Sequence, residues 1–223
     1  MKKIRAFLEG LTGKSKENDS PQPRIGMVDP QTILYSLPTI AKDLPELEEI
    51  PAQPSSGETV LHEDDWRQLE FLPTESLADI QRQMKEFKAF EAEHRVEHGW
   101  RKIFVRPSLP GATFGETFTL TALQRALENN SPERIYLSTT SSSPRAVKNG
   151  FALPLGGNVL LYGDIANNRV RTLAGSVGEA GDHMRVFHAF DRITSLHPVI
   201  VVDWRAMMIV TEKSGEQYQV WRP

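Results

Sequence analysis

The 223 residues carry a formal net charge of -3, with 39% apolar and 25% charged residues, a profile that fits a globular chain and excludes a fully disordered or fibrous one. Cysteine is absent, which excludes thiol nucleophiles, disulfides and Cys-ligated zinc or iron–sulfur centres. No apolar run approaches the length that spans a bilayer, and the charge balance gives no overall bias toward nucleic acid.

Charge is unevenly distributed along the chain. Residues 1–60 hold 7 basic and 9 acidic groups, 61–100 hold 5 and 10, and 101–223 hold 14 and 10, giving -2, -5 and +4. The acidic middle is expected to pack on the basic C-terminal part. The basic start Met1–Arg5 is followed by Glu9, Gly10 and Lys14 in place of an apolar core of signal-peptide length. The expected compartment is therefore the cytoplasm.

Ile4, Phe7, Leu8 and Leu11 recur at helical spacing and predict a short amphipathic helix over 3–12. Residues 13–58 are rich in Pro, Ser, Lys and Glu, yet keep apolar patches such as Ile33, Leu34, Tyr35 and Leu37. A linker with nothing to bury has no use for such side chains. The pattern reads as an extended arm, residues 1–58, that lays apolar groups on a surface, either its own domain or another subunit. Residues 59–223 read as a single domain.

That domain opens with the acidic cluster Glu63–Asp65 and a strand-like segment anchored by Trp66 and Leu69. A helix is predicted over 75–98, with Thr74 or Ser76 as N-cap, Gly99 as stop, and Leu77, Ile80, Met84 and Phe87 as its apolar stripe. A strand follows at 102–106, then a helix over 121–129 with Thr121 and Gln124 at capping-box spacing. A strand at 133–138 leads to Ser143-Pro144, which reads as the cap and first position of a short helix ending at Asn149-Gly150. From Gly150 onward, apolar segments alternate with turn residues. Gly156-Gly157 and Asn167-Asn168 supply the positive φ that tight hairpins need, and Pro154 puts the first strand at an edge or bulge. His183–Phe190 is read as a further strand, Val199–Val202 as a central one, and Gln217–Trp221 as an outer one. The fold class is α+β: an antiparallel sheet of six or seven strands with two main helices covering one face, preceded by the Pro-rich arm.

Two stretches have the residue types for chemistry. His94-Arg95-Val96-Glu97-His98 matches the H-x-x-E-H motif of inverted zincins, in which two His one helical turn apart hold zinc and the Glu acts as base. Glu179 is the candidate third ligand. A metal-dependent hydrolase centred on His94, Glu97 and His98 is one reading of the chain. The second stretch, Ser143, Arg145 and Lys148, combines hydroxyl, helix N–H groups and cations in a way that suits a phosphate. No motif calls for an organic cofactor: the loop from Gly175 to Gly181 lacks dinucleotide-binding spacing, and no Ser lies in a nucleophile elbow. The leading expectation is a non-catalytic interaction or assembly component whose arm, through Ile4, Phe7, Leu8, Leu11, Ile33, Leu34, Tyr35 and Leu37, docks on a protein partner or on its own oligomer.

Overall fold

Strict alternation in the C-terminal half dictates strands with two distinct faces, and the turns between them set their register. The computed structural model describes residues 34–109, 113–129, 131–139, 142–215 and 217–223. The predicted helix at 3–12, with Ile4, Phe7, Leu8 and Leu11, and Ile33 lie outside the described residues. Leu34–Pro223 form one compact unit.

In chain order the first elements are β1 (Thr39–Ala41), β2 (Thr59–His62), β3 (Leu69–Pro73), helix α1 (Leu77–His94), β4 (Arg95–Val96), β5 (Gly99–Trp100) and β6 (Phe104–Arg106). Helix α2 (Leu120–Leu127), β7 (Ile135–Thr139), β8 (Ser142–Ala146), β9 (Gly150–Gly156), β10 (Val159–Ala166) and β11 (Arg169–Val177) follow. The chain closes with helix α3 (Met184–Thr194), β12 (Val199–Asp203), β13 (Met208–Ser214) and β14 (Gln217–Trp221).

Seven strands form one antiparallel sheet in the order β14-β13-β12-β3-β11-β10-β9. The Asn167-Asn168 turn falls where the sequence puts it, both residues at positive φ, whereas the first turn is Gly157-Asn158, one residue later than the expected Gly156-Gly157, because Gly156 ends β9 paired with Val159. β9, with Pro154, is an edge strand, β12 is interior, and β14 is the other edge. The middle of the sheet is occupied by β3, a strand distant in sequence from its neighbours β12 and β11. The class is α+β.

Period-two alternation divides the buried side chains between two faces. One face presents Phe71, Phe151, Leu161, Leu173 and Val201 to α2 and α3, which contribute Leu123, Leu127, Val186, Phe190 and Ile193. The other face has two separate covers. α1 places Ile80 and Met84 on Leu72, Ile200, Val202 and Ile209. A three-stranded sheet, in the order β2-β7-β8, places Ile135 and Leu137 with Trp66 over Ala152, Tyr162 and Ala174. Among the described residues three α-helices pack on the sheet and lie on both faces, where two on one face are expected. A separate short parallel pair, β1 and β6, is tied to the residue before β3, where Gln68 Nε2 donates to Thr39 O.

Four further expectations change. Residues 183–190 are helical, because Val186, Ala189, Phe190 and Ile193 recur at the 3.6-residue period and bury one stripe. The Ser143-Pro144 segment is β8, paired antiparallel with β7, not a helix. α1 stops at His94, because Arg95–Val96 turns back onto Gly99–Trp100 and Trp100 exchanges two backbone hydrogen bonds with Tyr35, at 2.9 and 3.0 Å. A side chain at Gly99 would place its Cβ 2.5 Å from the Tyr35 carbonyl oxygen. α2 starts one residue early: Thr119, not Thr121, is the cap, its hydroxyl accepting from Ala122 N at 3.2 Å.

The proline-rich segment from Leu34 lies along its own body. Residues 46–52 follow the outer edge of β8: Glu48 N donates to Ala146 O, Ala52 N to Pro144 O, and Lys148 N to Glu46 O. Proline, which lacks an N–H, suits such an irregular edge. Leu47 packs against the cluster around Trp66 and Tyr162. Glu48 pairs with Arg134 at 2.6 Å and Glu46 with Lys148 at 3.1 Å, so acids of the arm meet bases of the body.

Candidate functional site

The strand β3 reads Leu-Glu-Phe-Leu-Pro, and its alternation puts Glu70 on the face with two covers. Its register partners are Ala174 on one side and Val202 on the other, so it sits where the α1 cover and the three-stranded cover meet. Glu70 is 2% exposed. An unpaired carboxylate there would be prohibitive. Arg67 Nε and Nη2 both donate to Glu70 Oε2, at 3.0 and 2.8 Å, and Trp204 Nε1 donates to Oε1 at 3.0 Å.

Arg106, 3% exposed on β6, completes the network. Its Nη2 donates to the Arg67 carbonyl at 2.7 Å and lies 3.7 Å from Glu70 Oε1, while the guanidinium rests 4.8 Å over the Trp204 ring. Burial pulls the Arg106 pKa down to about 10, with Glu70 opposing, so the group stays charged near neutrality. Glu70 raises Arg67 further above its ordinary value. Gln68 ties in β1, its Nε2 donating to Thr39 O at 2.8 Å. Tyr162 accepts from Arg67 N at 2.9 Å and donates to Asp65 O at 3.2 Å, and burial pushes its phenol well up. Arg67 itself stands at φ +60, a left-handed conformation uncommon for a residue with a side chain and enriched where geometry is functionally constrained.

The two ends of this network differ in space. Beside Arg106 and Trp204 the void is about 10 Å³, no more than a single water needs. On the Asp164 side a cavity of about 280 Å³ opens, with Arg67, Glu70, Asp164 and Arg171 in its wall. Asp164 is 1% exposed on β10, and Arg171 Nε donates to its Oδ2 at 3.0 Å, with Nη2 on the same oxygen. That bond raises the Arg171 pKa. Asp164 Oδ1 has no hydrogen-bond partner among the described residues, and a buried acceptor left this way costs about 1–3 kcal/mol. The β10–β11 pairing is irregular between Asp164 and Ile165, and the preceding Gly163 is needed because a Cβ there would lie 1.8 Å from the Thr172 carbonyl oxygen.

The residues singled out in the sequence fall elsewhere. His94 ends α1 and packs edge-on against Phe90 at 4.4 Å, while His98 is exposed in the turn between β4 and β5. They no longer share a helix face, which removes the geometry that the zincin motif requires. Each lies nearest its own neighbour, with Glu93 3.9 Å from His94 and Glu97 3.8 Å from His98. Glu179 is in the loop after β11, its carbonyl accepting from Asn158 Nδ2. Among the described residues no three His, Asp or Glu side chains group as metal ligands. Ser143, Arg145 and Lys148 lie on β8 and the turn after it, without the helix N-terminus expected to help them hold a phosphate. Arg145 Nε donates to Glu48 O at 2.7 Å, and Lys148 pairs with Glu46. Of the arm residues, Leu34 and Tyr35 are exposed and Leu37 is half-buried.

Sequence reading missed Glu70, Arg106 and Asp164. A Glu inside an apolar–polar alternation reads as the wet side of a strand. Gly163-Asp164 inside an apolar strand was the available signal, since such a glycine marks a bulge or a close backbone approach. No described helix is long and apolar enough to cross a membrane. No family model matches the chain, and neither do curated proteins or solved structures.

Proposed function

We propose that the protein is a non-catalytic interaction component of the cytoplasm, whose folded body presents its N-terminal arm to a protein partner or to another copy of itself. The observation that supports this reading is the placement of exposed apolar groups. Nine large apolar side chains stand exposed among the described residues, and five of them, Leu34, Tyr35, Leu44, Ile50 and Val60, lie between residues 34 and 60. Single exposed apolar residues are ordinary, whereas a concentration of them marks contact surfaces. Ile4, Phe7, Leu8 and Leu11, at helical spacing in the preceding sequence, supply the docking face of an amphipathic segment.

The test compares the full chain with a chain starting at residue 34, which retains the compact unit, and with a full chain carrying Leu34→Ser, Tyr35→Ser, Leu44→Ser and Ile50→Ser, which removes four of the exposed apolar groups. Affinity purification from the native cells, followed by mass spectrometry and light scattering, reads both partners and oligomeric state. The reading expects a partner or an oligomer held by the full chain and lost by at least one of the two variants. Identical partners and identical mass in all three would overturn it.

A further inference from the structure

β3 stays paired with β12 along its full length, through Pro73, but its pairing with β11 ends at Phe71 and Leu173. The strands part there, and the cavity of about 280 Å³ fills the fork. Asp164 Oδ1 is buried in its wall without a donor. One water would satisfy that oxygen, but one water needs only about 10–15 Å³, so the space is more than ten times what the acceptor alone requires. Trp66, Leu72, Leu109, Phe114 and Leu173 give the wall its apolar part, and Asp43, Thr113 and Thr172 add polar groups to the four charged side chains already named; Leu44 stands exposed at the rim.

The charges of the wall select the guest. Arg67 is paired with Glu70, and Arg171 with Asp164 through Oδ2, while Asp43 adds a third carboxylate at an exposed position. An anion would meet these three carboxylates, and a cation would have to leave water beside two guanidinium groups. A pure hydrocarbon would leave Asp164 Oδ1 as it is. A neutral molecule with one donor adds a hydrogen bond and disturbs neither pair. We propose that this cavity is a binding site for a small neutral organic molecule, apolar in body, that donates one O–H or N–H to Asp164 Oδ1. Its volume lies at the small end of ligand pockets, which run from about 300 Å³, and limits the guest to about the size of a single substituted ring.

The test uses the intact protein and four probes at pH 7: phenol, its isostere toluene, benzylammonium and benzoate, titrated by protein-observed NMR with the Trp66 indole as reporter. Phenol is expected to bind, to shift the Trp66 signal, and to bind about tenfold more tightly than toluene, although toluene is the more apolar. Both charged probes bind more weakly than phenol. Asp164→Leu removes the free acceptor and puts no donor in its place, and phenol's advantage over toluene is expected to disappear. If that variant does not fold, the phenol-to-toluene ratio of the unaltered protein still decides. Equal affinity for phenol and toluene, preference for a charged probe, shifts confined to another surface, or no binding at tens of millimolar, the result for a cavity that holds only water, would each overturn the proposal.

Discussion

The two faces of the seven-stranded sheet are built differently: one carries a single apolar layer, the other two apolar clusters with a polar seam between them, and β3 belongs to both. Phe71 points into a continuous apolar layer under α2 and α3, where stability comes from area removed from water. Glu70, the residue before it, points into a seam between two covers and is held by Arg67, Arg106 and Trp204. Here long polar side chains reach across it. Such a network fixes which cover sits where, but it is sensitive to the loss of any one member.

The largest effects should break the two faces in different ways. Glu70→Leu leaves Arg67 and Arg106 buried without their carboxylate, and is expected to cost roughly 3–5 kcal/mol in urea unfolding followed by Trp fluorescence. Replacing the group together, as Glu70→Leu with Arg67→Met and Arg106→Met, should cost less than Glu70→Leu alone, since no charge is then stranded. A triple variant weaker than the single one would show that the network itself supplies net stability. Phe71→Ala, on the other face, is expected to cost a similar ~3–5 kcal/mol through lost burial and a residual cavity. No charge is stranded there, so no matching polar-to-apolar change elsewhere should restore it.

Tyr162→Phe removes the acceptor of the Arg67 N–H and should cost about 1–3 kcal/mol. The pH dependence of that difference sharpens the picture. The buried Tyr162 phenol is raised above its ordinary value, so its contribution is fully present below about pH 10 and is lost as pH rises through the folded-state value. The stability gap between the unaltered protein and Tyr162→Phe should therefore shrink by about 1 kcal/mol by pH 11. Arg106, lowered to about 10, works in the opposite sense above that pH; Tyr162 is the smallest of the influences on it, so most of that effect is shared by the two proteins. The smallest effect belongs to the surface: Arg82→Ala breaks an exposed i,i+3 pair with Asp79 and should change stability by no more than about 0.5 kcal/mol.

The strands from Phe151 to Leu173 were legible in the sequence because turn chemistry and alternation agree there, and Val199–Val202 because a continuous apolar run admits few other places in a sheet. α3 was not, since His183–Phe190 is too short for its period to be separated from alternation without Ile193. The end of α1 was hidden because the hairpin that stops it depends on Tyr35, more than sixty residues away in sequence. β8 was misread because Ser-Pro favours a helix start locally, while pairing with β7 prevails in the fold. The candidate cavity was illegible for a related reason. Its wall draws on β3, β10, β11 and the segment around Leu44, and no local pattern announces that two neighbouring strands will part after three residues of pairing.

The course of residues 46–52 along β8 has a practical consequence. A strand edge with free N–H and C=O groups is a template for other chains, and this segment occupies one. A protein shortened to begin at Glu58 would uncover β8, and it is expected to aggregate as its concentration rises even if its core remains folded. A protein that begins at residue 34 keeps the cover and should stay in solution. With residues 46–52 in place, the outer edge of β8 already has partners for its backbone groups, and a second copy would find that edge occupied.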